Sequence, residues 1–296
     1  MARHGLQVQI EGRFGGSRRF PAERVEYADA DDQNAAAAVD DEETESTTDA
    51  GGAASLRAGG LPPSCGKKMV AYMSSWSDAL LTEAQASYLT HIIYAFIEMR
   101  ADGSLAVGSA DAAHSQDLEA DRKKALQRLE MLGRVKRNTD GLRTLFAVGG
   151  WENSQYFSDC VASEEMQANF IRDMKLVMTE YDFDGVDIDW EYPVTGGAVN
   201  GTAADRDNYV KFLRRLRKEL AGLQKELKRQ EPYLVTIASA AGSWVLEVGY
   251  DLDNIIDAVD WINVMTYDYY GAWSPSKVGI KDTMAVAIKD ALTWIS

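Results

Sequence analysis

Between residues 184 and 193 the chain reads Asp184-Gly-Val-Asp187-Ile-Asp189-Trp-Glu191-Tyr-Pro193, placing four acids within eight positions. Side chains of an extended strand alternate between faces, so Asp187, Asp189 and Glu191 point one way while Ile188 and Trp190 point the other. Asp184 falls out of that phase and reads as structural support. Three carboxylates on one face repel one another and lose hydration, which raises the pKa of at least one and keeps a proton available near neutral pH. That is the chemistry of a general acid serving a leaving-group oxygen, and Glu191, outermost and longest, is its natural donor. A solvated edge strand or a divalent-metal cage could use the same acids. The flanking Phe183, Ile188, Trp190 and Tyr192 favour an aromatic-walled cleft over an all-oxygen cage, so neither metal nor other cofactor is expected.

A strand that aims acids inward needs a scaffold. From Lys68 onward, short apolar runs alternate with longer segments of helical period, the signature of βα units around a parallel sheet. Six strands are expected: 69–75, 91–98, 142–148, 183–190, 234–240 and 261–267. Ser163 followed by Glu164 and Glu165 predicts a helix start, with Met166, Phe170, Met174 and Val177 as its sheet-facing stripe. A second helix follows Thr202 with Tyr209, Leu213, Leu216, Leu220, Leu223 and Leu227 in phase, and Lys211, Arg214, Arg215, Arg217 and Lys218 on a basic side. That pattern reads as an outer barrel helix with a solvated face rather than a coiled coil or a nucleic-acid surface. A last helix is expected through Met284, Ile288, Leu292 and Ile295. The fold class is therefore α/β, a TIM (β/α)8-type barrel that is incomplete, with about six βα units.

Residues 1–66 read as a disordered acidic tail, since 29–49 carry acids, alanines, Ser and Thr without a basic residue, and 67–296 read as the partial barrel domain. The net charge of -15 disfavours nucleic acid or an anionic membrane as partner and suits a neutral or weakly cationic ligand. No transmembrane-length segment is present, and the N-terminus offers only Leu6–Ile10 in place of a signal peptide's apolar run. Cys65 and Cys160 lack metal-ligand spacing and could form one disulfide, and Asn200-Gly-Thr202 is a glycosylation sequon. Oligomeric state is not encoded legibly.

The motif Asp184-x-x-Asp187-x-Asp189-x-Glu191, with Tyr192-Pro193 behind it, resembles the signature of glycoside hydrolase family 18, the chitinases and their relatives. Tyr72 and Trp76 resemble that family's first-strand aromatics, Tyr94-Ala-Phe96 its second strand, Gly149-Gly150-Trp151 its third, and Met265-Thr-Tyr267-Asp268-x-x-Gly271 its sixth. The resemblance covers roughly 67–296 and implies substrate-assisted retention, in which the substrate's own 2-acetamido oxygen attacks the anomeric carbon. It makes Glu191 the acid/base, Asp189 the residue that orients the acetamido group, Asp187 its proton-sharing partner and Tyr267 a donor to the acetamido oxygen. Tyr72, Trp76, Phe96, Gly150, Trp151, Tyr192, Met265 and Asp268 become substrate-binding candidates, with chitin or an N-acetylglucosamine oligosaccharide as partner and an extracellular setting. A noncatalytic, lectin-like relative and an endo-β-N-acetylglucosaminidase share these features.

The chain departs from the family pattern in three places. Ala147 stands where a small polar residue is usual, so a hydrogen bond near Asp187 is expected to be missing. Ala71 and Leu89 replace a cysteine pair found in many animal members. No seventh or eighth barrel strand can be read, which predicts a truncated product with two unpaired strand edges.

Overall fold

A computed structural model of the chain describes residues 67–76, 81–108 and 117–267. Its elements run β1 (Val70–Ser74), α1 (Glu83–Ala86), β2 (His91–Met99), β3 (Leu105–Ala106), α2 (Leu118–Asn138), β4 (Arg143–Gly149), a short 3-10 turn (Trp151–Asn153), α3 (Phe157–Ala162), α4 (Glu164–Glu180), β5 (Gly185–Asp189), α5 (Asp205–Glu226), β6 (Leu234–Ala240), α6 (Ser243–Gly249), α7 (Leu252–Ile255) and β7 (Trp261–Met265). The six expected strands are present as β1, β2, β4, β5, β6 and β7, laid side by side in that order and all parallel. Among the described residues only the two-residue β3 is additional. It pairs antiparallel with the end of β2 and is too short to leave a periodic signal.

The result is a half-barrel with helices on its outer side. Alternation along each strand divides the core in two. Ile93, Ala95, Leu145, Ala147, Leu234 and Trp261 form a small apolar layer inside the arc. Their neighbours Ile92, Phe146, Val186, Ile188 and Ile237 face the helices and pack there with Phe170, Met174, Leu213 and Leu216. Trp261, first in β7, closes the end of the arc where the strands begin: its ring meets His91 edge-on at 4.8 Å and carries the Lys68 ammonium 5.2 Å above it. Among the described residues β1 and β7 each pair on one side only.

The helices form where capping and stripe predicted. The Ser163 hydroxyl accepts the Met166 N–H at 3.3 Å, two glutamates occupy the first turn of α4, and Phe170, Met174 and Val177 are buried. In α5 the stripe from Tyr209 to Leu223 is buried, whereas Leu227 lies just past the helix end and is exposed. Its basic side is partly engaged within the fold: Arg214 bonds Asn254, Arg215 bonds Gln167, and Arg217 pairs with Asp260 at 2.7 Å. No helix among the described residues is long and apolar enough to cross a membrane. The tail, Cys65 and the helix expected through Met284 and Ile295 lie outside the described residues. Cys160 is a buried free thiol whose pKa burial pushes up to about 12, which keeps it unreactive.

Candidate active site

β5 ends sooner than its sequence pattern implies. The ladder stops at Asp189, paired with Gly149, so Trp190 and Glu191 lie past the last strand residue. Asp187 and Asp189 still share the interior face and are almost wholly buried, while Ile188 and Trp190 face the helices. Trp190 stacks on Phe157 at 5.4 Å and meets Tyr209 edge-on. Glu191 is half-buried at the mouth, close enough for its charge to act on Asp189.

The three acids have different surroundings. Asp187 receives the Tyr72 phenol on Oδ2 at 2.6 Å, and the Thr236 hydroxyl and the Asn263 amide on Oδ1, the amide at 3.3 Å. Burial raises its pKa, and these three donors pull it back down. Asp189 lacks that support. Its Oδ1 is buried without a hydrogen-bond partner among the described residues, and its pKa is held well above the ordinary value by burial first, then by the charges of Glu191 and Asp187. The repulsion expected among these acids acts on Asp189, behind the larger effect of burial.

Asp184 sits at the opposite end of β5. Its carboxylate accepts the Thr144 N–H at 2.7 Å and pairs with Lys136 at 3.0 Å and with Arg229. It is buried far from the mouth, in the structural place its phase implied.

The remaining candidates are placed as follows. Trp76 and Trp151 are about half exposed; Trp76 stacks on Phe96 at 6.1 Å, and Trp151 meets Tyr192 edge-on at 6.5 Å. Gly150 adopts φ 84, donates its N–H to the Asp189 carbonyl at 2.7 Å, and lies so close under the Phe96 ring that a Cβ would press on it. Tyr192 is half-buried and its pKa is raised by burial first and then by Glu191. Tyr267 is exposed but lies within electrostatic reach of the Tyr72 and Tyr192 phenols. Met265 is buried at the end of β7, and Asp268 lies outside the described residues.

The sequence reading missed three contributors to this arrangement. Thr236 and Asn263 are each polar residues at inward positions of apolar strands, a signal that alternation alone could have flagged. Ser154 accepts the Glu191 N–H at 2.9 Å from a loop where no periodicity operates. Ala147 does pair with Asp187 in the ladder, and the hydrogen bonds to Asp187 come instead from β1, β6 and β7.

Parallel strand order, outer helices and acids gathered at the carboxyl end of a strand define the class as a (β/α)-barrel fold with its site at the end where such barrels carry one. The family model described as glycosyl hydrolases family 18 matches residues 68–292, and the chain belongs to that family. It is 39% identical to chitinase A1 of Niallia circulans over 149 residues, covering 49% of this chain and 21% of that protein. With probable chitinase 2 of Drosophila melanogaster it shares 30% identity over 241 residues, covering 78% of this chain and 46% of the relative. The Group IV chitinase of Ostrinia furnacalis, solved in complex with allosamidin, superposes with a TM-score of 0.60 at 27% identity, covering 77% of this chain and 62% of that one. The chain thus spans less than half the length of either curated relative.

Proposed function

We propose that this chain carries the catalytic machinery for hydrolysing β-1,4-linked N-acetylglucosamine polymers by substrate-assisted retention, with Glu191 as acid/base. The observation that carries this reading is the graded stack: Asp187 with three donors, Asp189 buried and under-satisfied, and Glu191 at the mouth. Glu191 gives its proton to the glycosidic oxygen as the bond to the anomeric carbon breaks. The acetamido oxygen of the same sugar bonds that carbon from the other face. Glu191, now ionised, takes a proton from the water that attacks the anomeric carbon and releases the acetamido oxygen. In this reading the buried Asp189 oxygen, which has no hydrogen-bond partner among the described residues, accepts the acetamido N–H, and the negative charge shared by Asp187 and Asp189 favours the positive charge that develops in the sugar. Tyr267 serves as donor to the acetamido oxygen, and Trp76, Phe96, Trp151 and Tyr192 offer faces suited to the apolar sides of pyranose rings.

Hydrolysis of a chromogenic chitooligosaccharide by the chain and by Glu191→Gln tests the assignment. The substitution is expected to reduce kcat by a factor of about 10² to 10⁴. Equal rates would remove Glu191 from the chemistry. Binding without turnover by the folded chain would favour a lectin-like relative.

A further inference from the structure

Glu191 follows the last residue of β5, so nothing in the strand ladder fixes where its carboxylate stands. Two contacts do. On one side the Ser154 hydroxyl accepts the Glu191 N–H at 2.9 Å while donating to the Gly150 carbonyl at 2.8 Å. On the other, the loop after Pro193 folds back so closely that a Cβ at Gly197 would overlap the Glu191 carbonyl oxygen and the Tyr192 nitrogen. Position 197 has no room for a side chain because the loop backbone lies directly against the Glu191–Tyr192 peptide.

That loop is held by Asp205, a carboxylate only 1% exposed. Its Oδ1 accepts the hydroxyls of Ser158 at 2.7 Å and Thr202 at 3.0 Å, and its Oδ2 accepts the N–H groups of Val194 at 3.2 Å and Thr202 at 2.9 Å. An acid in the first turn of a helix ordinarily serves the helix, yet none of these four donors belongs to α5. One comes from α3, and the other three come from the two ends of the loop that leaves the active-site strand. Val194, held in the left-handed region at φ 67, needs such an external tie. Ser158 follows Phe157, which stacks on Trp190 at 5.4 Å, so the same carboxylate also joins the loop to the packing behind the strand exit.

We propose that Asp205 is a positioning residue for Glu191: its four hydrogen bonds lock the loop of residues 194–202 against the Glu191–Tyr192 peptide and so fix where the acid/base stands. The proposal rests on the assignment of Glu191 as acid/base, and its test separates the two ideas. Amide exchange at Glu191 in the full chain is followed by NMR, together with kcat and KM on a chromogenic chitooligosaccharide, for the natural chain and Asp205→Asn. Asparagine keeps the shape but loses the charge and replaces one acceptor oxygen with an NH2, which meets either the two N–H groups or the two hydroxyls and in both cases weakens the set of four bonds. Because the Glu191 N–H donates to Ser154 and not to Asp205, faster exchange at that amide reports transmission through the loop rather than loss of its own hydrogen bond. Expected are about tenfold faster exchange at Glu191 and about a tenfold fall in kcat, with KM changed less than about threefold. Unchanged exchange at Glu191 in a folded Asp205→Asn chain overturns the proposal. If the natural chain shows no turnover, the functional assignment fails while the exchange still decides the positioning role. Should Asp205→Asn not fold, Thr202→Val removes one hydroxyl donor alone. It must then accelerate exchange at Glu191 in the same direction, and no change there is equally fatal.

Discussion

Tyr72 in β1 and Asp187 in β5 lie 115 residues apart in sequence and meet at 2.6 Å, the phenol donating to the carboxylate. The Asn263 amide of β7 reaches both, at 3.0 Å to the Tyr72 oxygen and 3.3 Å to Asp187. β1 and β7 are the two ends of the described sheet, so this triad ties them together across the interior without any ladder between them. Burial disfavours the charged form of this carboxylate and the donors partly offset that, which is why the same contacts that brace the half-barrel also tune the proton affinity of its innermost acid.

Tyr72→Phe removes one of the three donors while keeping the ring. The pKa of Asp187 should then rise further, because burial is unchanged while only Thr236 and Asn263 remain to oppose it. The acidic limb of the pH–rate profile on a chromogenic chitooligosaccharide is expected to move to higher pH, and kcat to fall about tenfold, the scale of a charge-assisted hydrogen bond. A profile that superposes on that of the natural chain would show that this bond does not tune the site.

Asp189 is expected to cost the fold stability. Its folded pKa lies well above the unfolded value of 3.8, so the native state binds more protons, and stability is lost as pH rises from 3.8 through the folded pKa. Asp189→Asn cannot ionise and escapes that loss. Thermal unfolding should show the variant more stable at pH 8 by about 1–2 kcal/mol and little different near pH 4, with hydrolysis abolished. Parallel curves across pH would contradict the electrostatic account.

The legibility of this site in the sequence followed what periodicity can carry. β6 has the bounds the apolar run 234–240 implied, because a buried parallel strand is written as a continuous run. β5 does not, because the alternation of acids continues to Glu191 while backbone pairing ends at Asp189, and pairing depends on neighbouring strands. The burial of Asp187 and Asp189 could be foreseen from phase; the partners of Asp187 could not. Thr236 meets it only because the register sets Asp187 opposite Thr236, and Tyr72 and Asn263 arrive from strands far away in sequence. Ser154 and Asp205 act from loop and helix end, where sequence shows polar residues everywhere and geometry alone selects the ones that matter.

Asp184 serves as a test of structural against catalytic acids. Its carboxylate joins Lys136, Arg229 and the Thr144 N–H, and its backbone bridges β4 and β6 through Thr144 and Leu234. Asp184→Asn leaves two cations beside a neutral group and should lower unfolding stability by about 3 kcal/mol in denaturant titration. Activity per folded molecule, measured well below the midpoint, is expected to stay within about twofold of the natural chain, since none of these partners lies at the mouth of the site. A large loss of kcat in folded protein would place Asp184 in the chemistry.

His91 sets the response of the opposite barrel end to acid. Burial first, then the nearby charges of Arg143 and Lys68, lower its pKa from 6.5 to about 4 against the weaker opposing pull of Asp184 and Asp260. Its neutral ring packs edge-on against Trp261 and its Nδ1 lies 2.8 Å from the Thr90 hydroxyl. Because the folded pKa lies below the unfolded one, the unfolded chain binds the extra proton. The stability contributed by the neutral ring is therefore complete above pH 6.5 and drains away as pH falls toward 4, by about 3 kcal/mol at most. His91→Phe keeps an aromatic ring beside Trp261 and has no proton to gain. Asp187 and Asp189 slope the opposite way in both proteins, so the readout is the difference between the two stability curves. Chemical denaturation between pH 4 and 7 should show that difference growing in favour of His91→Phe as pH drops through 6.5, and a constant difference would mean that His91 is not the group that titrates.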